Sequence, residues 1–366
     1  MAKIAKVEPI VLKVPFTDGS SGTGLMPQAW TKLEIVLVRV ETDDGLVGWG
    51  ESFGYFCSSA VAAAVRDMVA PVAIGQDAGD PRALNRMLQQ RLHLHGRYGI
   101  TIFAISGLDI ALWDIAGKRS GTSLTELLGG NARSASGGKV PAYASLMRYG
   151  DPVLVERFAA KAASEGYADV KLHEIRRDTI GAGRKGVGAK VRLTTDINCN
   201  WSVDETRQIL PYLKEIDLFW LEEPIFPPED WETLMELGKF GIAISAGENA
   251  CTSVEFSRLI PAVTYAQPSV TKVGGVSEVI AIADMAKRLG RTLMPHSPYF
   301  GPGYWATVHL VAARAELGLF EYLYVTPDAW LSPAIPRPAK GVITPPTAPG
   351  LGFEPDQAVL ERYRVA

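Results

Sequence analysis

Asp196, Glu222 and Glu248 recur at equal intervals of 26 residues (222 − 196 and 248 − 222), each after a short apolar stretch: RLTTD, LFWLE and GIAISAGE. One strand, one helix and their loops take about this many residues in a repeating β/α barrel, where ~250 residues make eight units. The repeat therefore puts the three carboxylates at the ends of three successive parallel strands, on the face where such barrels carry their chemistry. Three carboxylates converging there repel one another unless a cation sits between them. Hard oxygen ligands suit Mg²⁺.

The basic residues extend the pattern. Lys171 lies 25 residues before Asp196 and ends the run YADVK; His296 lies 48 beyond Glu248 and ends RTLMPH; Glu321 follows in LFEYLY. With PAYASL as the first strand there are eight, ending at Lys171 (second), Asp196, Glu222, Glu248, Ser269 (sixth), His296 and Glu321 (eighth). A metal site with an ammonium on one side and an imidazole on the other suits removal of a weakly acidic C–H proton.

At 366 residues the chain is too long for a minimal barrel and implies a second domain. The expected division is an α+β domain over 1–128, a β/α barrel over 129–328 and a C-terminal segment over 329–366 that returns to the first domain. In the first domain, KIAKVEPIVLKV, KLEIVLVRVET and LVGWGES read as antiparallel strands, the last two joined through Asp43-Asp44-Gly45. Residues 16–31, rich in glycine and without periodicity, read as a flexible loop closing over the barrel mouth. PRALNRMLQQRLHLH and ISGLDIALWDIAGKRSG read as helices, and GGNARSASGG as a linker. The second barrel helix, RRDTIGAGRKGVGAK, holds four glycines and is expected to be short or frayed.

Net charge −3 and 47% hydrophobic residues fit an ordinary globular protein, and no basic stripe points to nucleic acid. The alternating start reads as a strand and not as a signal peptide, and no apolar run approaches the ~20 residues of a membrane span. Three cysteines without short spacing argue against a disulfide framework or zinc site, so a reducing cytoplasm is expected. Cys199 reads as a small buried thiol. His93 and His95 read as solvated, His309 as structural, and Lys272 as structural because it lies beyond the sixth strand end.

AISGLDIALWDIAGK (104–118), TTDIN (194–198), WLEEP (220–224), SAGEN (245–249), KVGG (272–275) and the histidine of MPHS (294–297) resemble the enolase superfamily, in its mandelate racemase and sugar-acid dehydratase branch. The resemblance covers nearly the whole chain. It implies a modified TIM barrel, (β/α)₇β, under an α+β capping domain completed by the C-terminal tail. It implies Mg²⁺ held by Asp196, Glu222 and Glu248, and abstraction of the proton alpha to a carboxylate through a metal-stabilised enediolate. Lys171 is then placed to hydrogen-bond the substrate carboxylate, with Glu321, if protonated, on its other oxygen. Asn198 would face the site and bind substrate or metal-bound water.

Two positions depart from the branch. Lys-x-Lys at the second strand end is here Lys171-Leu172-His173, and strand alternation puts His173 in the second lysine's place. The Asp expected at the sixth strand end is Ser269, which orients a histidine by hydrogen bonding but cannot raise its pKa as a carboxylate does. His173, near Mg²⁺ and Lys171, should be neutral. The catalytic candidates are thus Lys171, His173, His296 and Glu321.

The leading reading is Mg²⁺-dependent dehydration of a sugar acid to a 2-keto-3-deoxy acid; racemisation, epimerisation or cycloisomerisation of a carboxylate is the alternative, and a metal-binding homologue without turnover the third. The entrance segments 16–31 and 52–59 offer Phe16, Met26, Trp30, Phe53, Tyr55 and Phe56 but no Arg, Lys or His. This favours a monocarboxylate or partly apolar small-molecule substrate, with Trp30 and Tyr55 as contacts, unless Arg97, Arg176 or Arg177 supplies a second cation. A homo-oligomer is the expected assembly, with no membrane or nucleic-acid partner.

Overall fold

The computed structural model describes residues 2–20, 30–130 and 138–365. Alternating apolar residues make β1 (Ile4–Thr17) and β2 (Lys32–Thr42), which pair antiparallel, and β2 pairs antiparallel with β3 (Val47–Ser52). Gly45, at φ +87°, takes the left-handed turn position between them. Helices Pro81–Arg91 and Ile100–Ser120 follow. Of the expected mouth loop, residues 21–29 lie outside the described residues, as do 131–137 of the expected linker; Phe16 and Thr17 belong to β1.

Ile100–Ser120 corrects one expectation, because it is long and apolar enough to cross a membrane. It is a core helix here: 83% of its apolar window is buried inside the protein. Gly107 lets it lie against β2 and β3, since a Cβ there would meet Ser52 Oγ at 2.2 Å and Val38 Cγ2 at 2.6 Å.

The barrel strands are β4 (Val140–Ser145), β5 (Asp169–Leu172), β6 (Arg192–Asp196), β7 (Leu218–Glu222), β8 (Ala243–Ala246), β9 (Tyr265–Ala266) and β10 (Phe320–Leu323), all parallel. The seventh strand position is held by Leu293 alone, which bridges Ala266 and Leu317. Helices between them carry their own start signals: Asp151 caps Pro152–Ser164, and Ser202 with Glu205 forms a capping box on Val203–Glu215.

Side chains two residues apart on a strand share a face. Tyr143, Trp220, Met294 and Leu319 form a buried apolar layer inside the barrel. Two residues further along each strand come Ser145, Glu222, His296 and Glu321. The apolar layer is the floor on which the polar layer stands, and Trp220 Nε1 donates to Glu222 Oε2 at 3.0 Å.

The glycine-rich second barrel helix is neither short nor frayed: it runs unbroken over Arg177–Val187. Packing outweighs the propensity cost. A Cβ on Gly183 would meet Leu172 Cδ1 at 2.4 Å, and one on Gly186 would meet Glu156 O at 2.4 Å. Gly186→Ala should therefore destabilise the fold by about 1–3 kcal/mol, since backbone overlap exceeds the helix gain. A thermal melt showing higher stability for this variant would contradict that packing account.

The tail returns to the first domain. Thr326–Pro327 pairs with the end of β1, Val365 N–H donates to Val11 O at 2.9 Å, and Phe353 packs on Trp49 and Trp305. Among the histidines outside the barrel mouth, His93 and His95 are exposed. His309 is buried, bonding Thr125 through Nδ1 and Leu351 O through Nε2.

Candidate active site

The register sets Lys171 beside Ser145 and Thr194, and Asp196 beside Glu222. Asp196 and Glu222 end their strands, whereas Glu248 lies two residues past β8. Lys171 and Glu321 sit within β5 and β10 rather than at their ends, so they lie deeper than the spacing suggests. One carboxylate oxygen from each of Asp196, Glu222 and Glu248 falls within 4.8 Å of the others.

Lys171, with no exposed surface, is the internal counter-ion. Its Nζ lies 2.7 Å from Glu222 Oε1, 2.8 Å from Glu321 Oε1 and 3.7 Å from Asp196 Oδ2. Burial alone would lower its pKa, but Glu222 and Glu321 hold it well above the usual lysine value. Burial, then the Glu222 charge, pushes the Asp196 carboxyl well up. A cation among the three carboxylates would offset that burial and repulsion.

Glu321 departs from expectation. Burial would raise its pKa, yet Lys171 and then His296 hold it down to about 2. It also accepts from Ser145 Oγ at 2.8 Å and from Ser297 N–H at 3.0 Å. A carboxylate so paired is ionised, so Glu321 holds Lys171 in place and is not a protonated donor to substrate.

Asn198 also plays a different part. Its Nδ2 donates to Asp196 Oδ2 at 2.9 Å, its N–H donates to Asp196 Oδ1 at 2.7 Å, and its Oδ1 accepts from Arg148 at 3.2 Å. Both ends of the amide are engaged, so Asn198 aims Asp196.

The two histidines sit on either side of the triad. His173 Nε2 is 3.5 Å from Asp196 Oδ2, and its Nδ1 bonds Leu146 O. A carbonyl only accepts, so Nδ1 carries the proton and Nε2 a lone pair. Burial and then Lys171 lower the His173 pKa to about 3, the neutral form the sequence implies. His296 Nε2 is 3.0 Å from Glu248 Oε2. Its Nδ1 lies 3.2 Å from Ser269 Oγ and 3.3 Å from Tyr299 Oη, and those two hydroxyls bond each other. Ser269 thus reaches the histidine, with Tyr299 as a partner that the sequence does not single out. Burial would raise the Glu248 carboxyl, but His296 and Lys272 outweigh it and hold it well below the usual range.

Above these groups lies a cavity of about 350 Å³. Trp30, Tyr55, Phe53, Phe56, Pro298 and Leu323 make its apolar part; Ser145, His173, Asn198, Glu248, Asn249, Lys272, His296 and Glu321 make its polar part. Lys272, read from the sequence as structural, is part of this polar lining. It donates to Asn249 Oδ1 at 2.6 Å, lies 3.8 Å from Glu248 Oε1 and stands over the Phe53 ring. None of Arg97, Arg176 and Arg177 lines the cavity: Arg176 pairs with Asp178, Arg177 stacks on Tyr212 and Arg97 bonds Gln89. Cys199 lies outside it too, bonded to Glu223 at 3.3 Å. Arg148, Tyr299 and Lys272 sit three residues past Ser145, His296 and Ser269, beyond the strands, where alternation no longer says which way a side chain points.

Comparison with known proteins agrees with this geometry. Residues 154–359 match the enolase C-terminal domain-like family, and residues 12–129 match the mandelate racemase/muconate lactonizing enzyme N-terminal domain. The chain is 30% identical to arabinonate dehydratase of Saccharolobus solfataricus over 91% of each chain. It is 30% identical to D-galactarolactone cycloisomerase of Agrobacterium fabrum over 90% of this chain and 91% of that one. Among solved structures, a racemase from Streptomyces coelicolor A3(2) with bound magnesium superposes with a TM-score of 0.85 at 28% identity, covering 99% of this chain and 100% of that one. A barrel with three acids at its strand ends, roofed by a domain that the tail completes, and these matches along both parts of the chain lead to one conclusion: the protein belongs to the mandelate racemase/muconate lactonizing enzyme family of the enolase superfamily.

Proposed function

We propose that the protein dehydrates a monocarboxylate sugar acid to a 2-keto-3-deoxy acid, with Mg²⁺ held by Asp196, Glu222 and Glu248. The oxygen-only donor set suits that ion, and the three ligand atoms lie close enough together to share it. When bound, Mg²⁺ offsets the negative charge that develops on the substrate carboxylate as the alpha proton leaves. Asn198 holds Asp196 at a ligating angle, so Asn198→Ala should weaken Mg²⁺ binding roughly tenfold without abolishing it. Unchanged affinity by calorimetry would refute that role.

The observation that carries the choice of reaction is the inequality of the two histidines. A histidine lowered to about 3 is a poor base at neutral pH. His296 instead lines the cavity, with neutral hydroxyls at Nδ1 and with Nε2 beside Glu248 Oε2, the carboxylate that Mg²⁺ would draw away from it. One competent base is enough for syn elimination. His296 Nε2 takes the alpha proton and returns it to the departing 3-hydroxyl, which leaves as water. The enol then tautomerises to the keto acid.

The six apolar cavity residues leave Lys272 as the lining cation besides the histidines, which supports one carboxylate on the substrate rather than two. The names of the dehydratase relatives agree with this reading. Cycloisomerisation is the second reading, because the chain is also 29% identical to the 3,6-anhydro-D-galactonate cycloisomerase of Zobellia galactanivorans over all of both chains, with a TM-score of 0.84. A panel of sugar monocarboxylates, dicarboxylates, lactones and anhydro sugar acids with Mg²⁺, read for 2-keto acid and for isomerised product, separates them. Keto acid from a monocarboxylate is expected; turnover of lactones or anhydro sugars alone would overturn the dehydratase reading.

A further inference from the structure

A second cavity, of about 660 Å³, lies between the first domain and the outside of the barrel, away from the triad. Helix Pro81–Arg91 and the turn after it supply Arg82, Arg86, His93 and Arg97; the starts of helices Thr252–Ala262 and Gly275–Arg288 supply Ser253, Ser277 and Glu278. Three guanidiniums and an imidazole thus face one carboxylate.

That carboxylate is already committed. Glu278 Oε1 accepts from Gln89 Nε2 at 2.7 Å, and Oε2 accepts from Ser253 N–H at 2.7 Å. The cations are not neutralised by it. Arg97 donates to Gln89 Oε1 at 2.9 Å, Arg82 stands 5.5 Å over the Trp113 ring, and Arg86 has no ion pair among the described residues.

The floor is built rather than incidental. Asn85 and Gln89 are buried polar side chains on an otherwise amphipathic helix. Asn85 Nδ2 bonds Asp109 Oδ1 at 2.8 Å and Gly274 O at 2.7 Å, and Gln89 Nε2 bonds Asn85 Oδ1 at 2.7 Å. Buried amides with every bond made are rigid. Their network sets the guanidinium of Arg97 toward the groove, and Ser277 is tied to Asp109 beneath it.

Excess guanidinium charge above a fixed polar floor is the arrangement that selects multivalent anions, because each planar fork grips two oxygens. We propose that this groove is a binding site for a small multivalent anion, one bearing a diphosphate or several carboxylates, distinct from the site of the proposed reaction. Its occupancy does not depend on turnover or on Mg²⁺.

Calorimetric titration of the metal-free full chain with inorganic pyrophosphate and with citrate, at constant ionic strength, tests it. At least one should bind, the tighter one identifying the phosphate or polycarboxylate class, and monovalent acetate should bind at least about tenfold more weakly. Arg86→Gln and Arg97→Gln should each weaken the multivalent anion about tenfold. Arg291→Gln, a remote exposed change, and Lys272→Met, in the barrel cavity, should leave it nearly unchanged. The proposal fails if neither anion binds wild type, if Arg291→Gln weakens binding as much as Arg86→Gln, or if Lys272→Met alone abolishes it.

Discussion

Glu222→Gln is expected to abolish Mg²⁺ binding at micromolar to millimolar concentration. Glu222 is the central member of the triad: its Oε1 meets Lys171, its Oε2 meets Trp220 Nε1, and Asp196 is its register neighbour. An amide of the same shape keeps the indole bond but removes the charge. Magnesium demands near-octahedral geometry and loses water reluctantly, so a neutral ligand at the centre is a poor substitute. The variant should fold, because Lys171 keeps its pair with Glu321 and the Trp220 indole keeps its acceptor. Wild-type-like binding of Mg²⁺ in calorimetry, with a wild-type melt, would remove Glu222 from the ligand set.

The second large effect separates the histidines. His296→Asn should lower turnover by at least ~10² with Mg²⁺ affinity little changed, since Glu248 and not His296 belongs to the triad. His173→Asn should be less damaging. His173 is held neutral by burial and Lys171, and its Nδ1 proton is committed to Leu146 O. A racemase requires both faces, so equal loss in the two variants would favour racemisation. The comparison uses one substrate and reads kcat for both variants.

Much of this site was legible because barrel geometry turns sequence spacing into spatial position. Equal intervals of 26 residues put Asp196, Glu222 and Glu248 together, and the same count reached Lys171, His296 and Glu321. Spacing does not report depth. Lys171 and Glu321 lie inside their strands, and their ion pair shows only when the two strands are brought together across β4. Residues past strand ends were hidden for a related reason. Lys272, Arg148 and Tyr299 follow loops whose direction is set by tertiary contacts, not by a period of two.

The glycine-rich helix shows the same limit from the other side. Propensity argued for fraying, but Gly183 and Gly186 are where Leu172 and the Glu156 carbonyl come closest. Local preference gives way when tight packing supplies more than about 1 kcal/mol per glycine. Tyr299 illustrates what a family pattern can conceal. The serine in place of an aspartate looks like a loss in one dimension, while in three dimensions a second hydroxyl stands beside it.

The reaction in D₂O, followed by proton NMR with Mg²⁺ and a sugar monocarboxylate that the enzyme consumes, tests the central claim most directly. Dehydration with a single base predicts a 2-keto-3-deoxy acid carrying one solvent deuteron at C3, with recovered substrate keeping its alpha proton. Alpha-deuterated or epimerised substrate with no keto acid would contradict it and assign the two histidines to a two-base isomerisation.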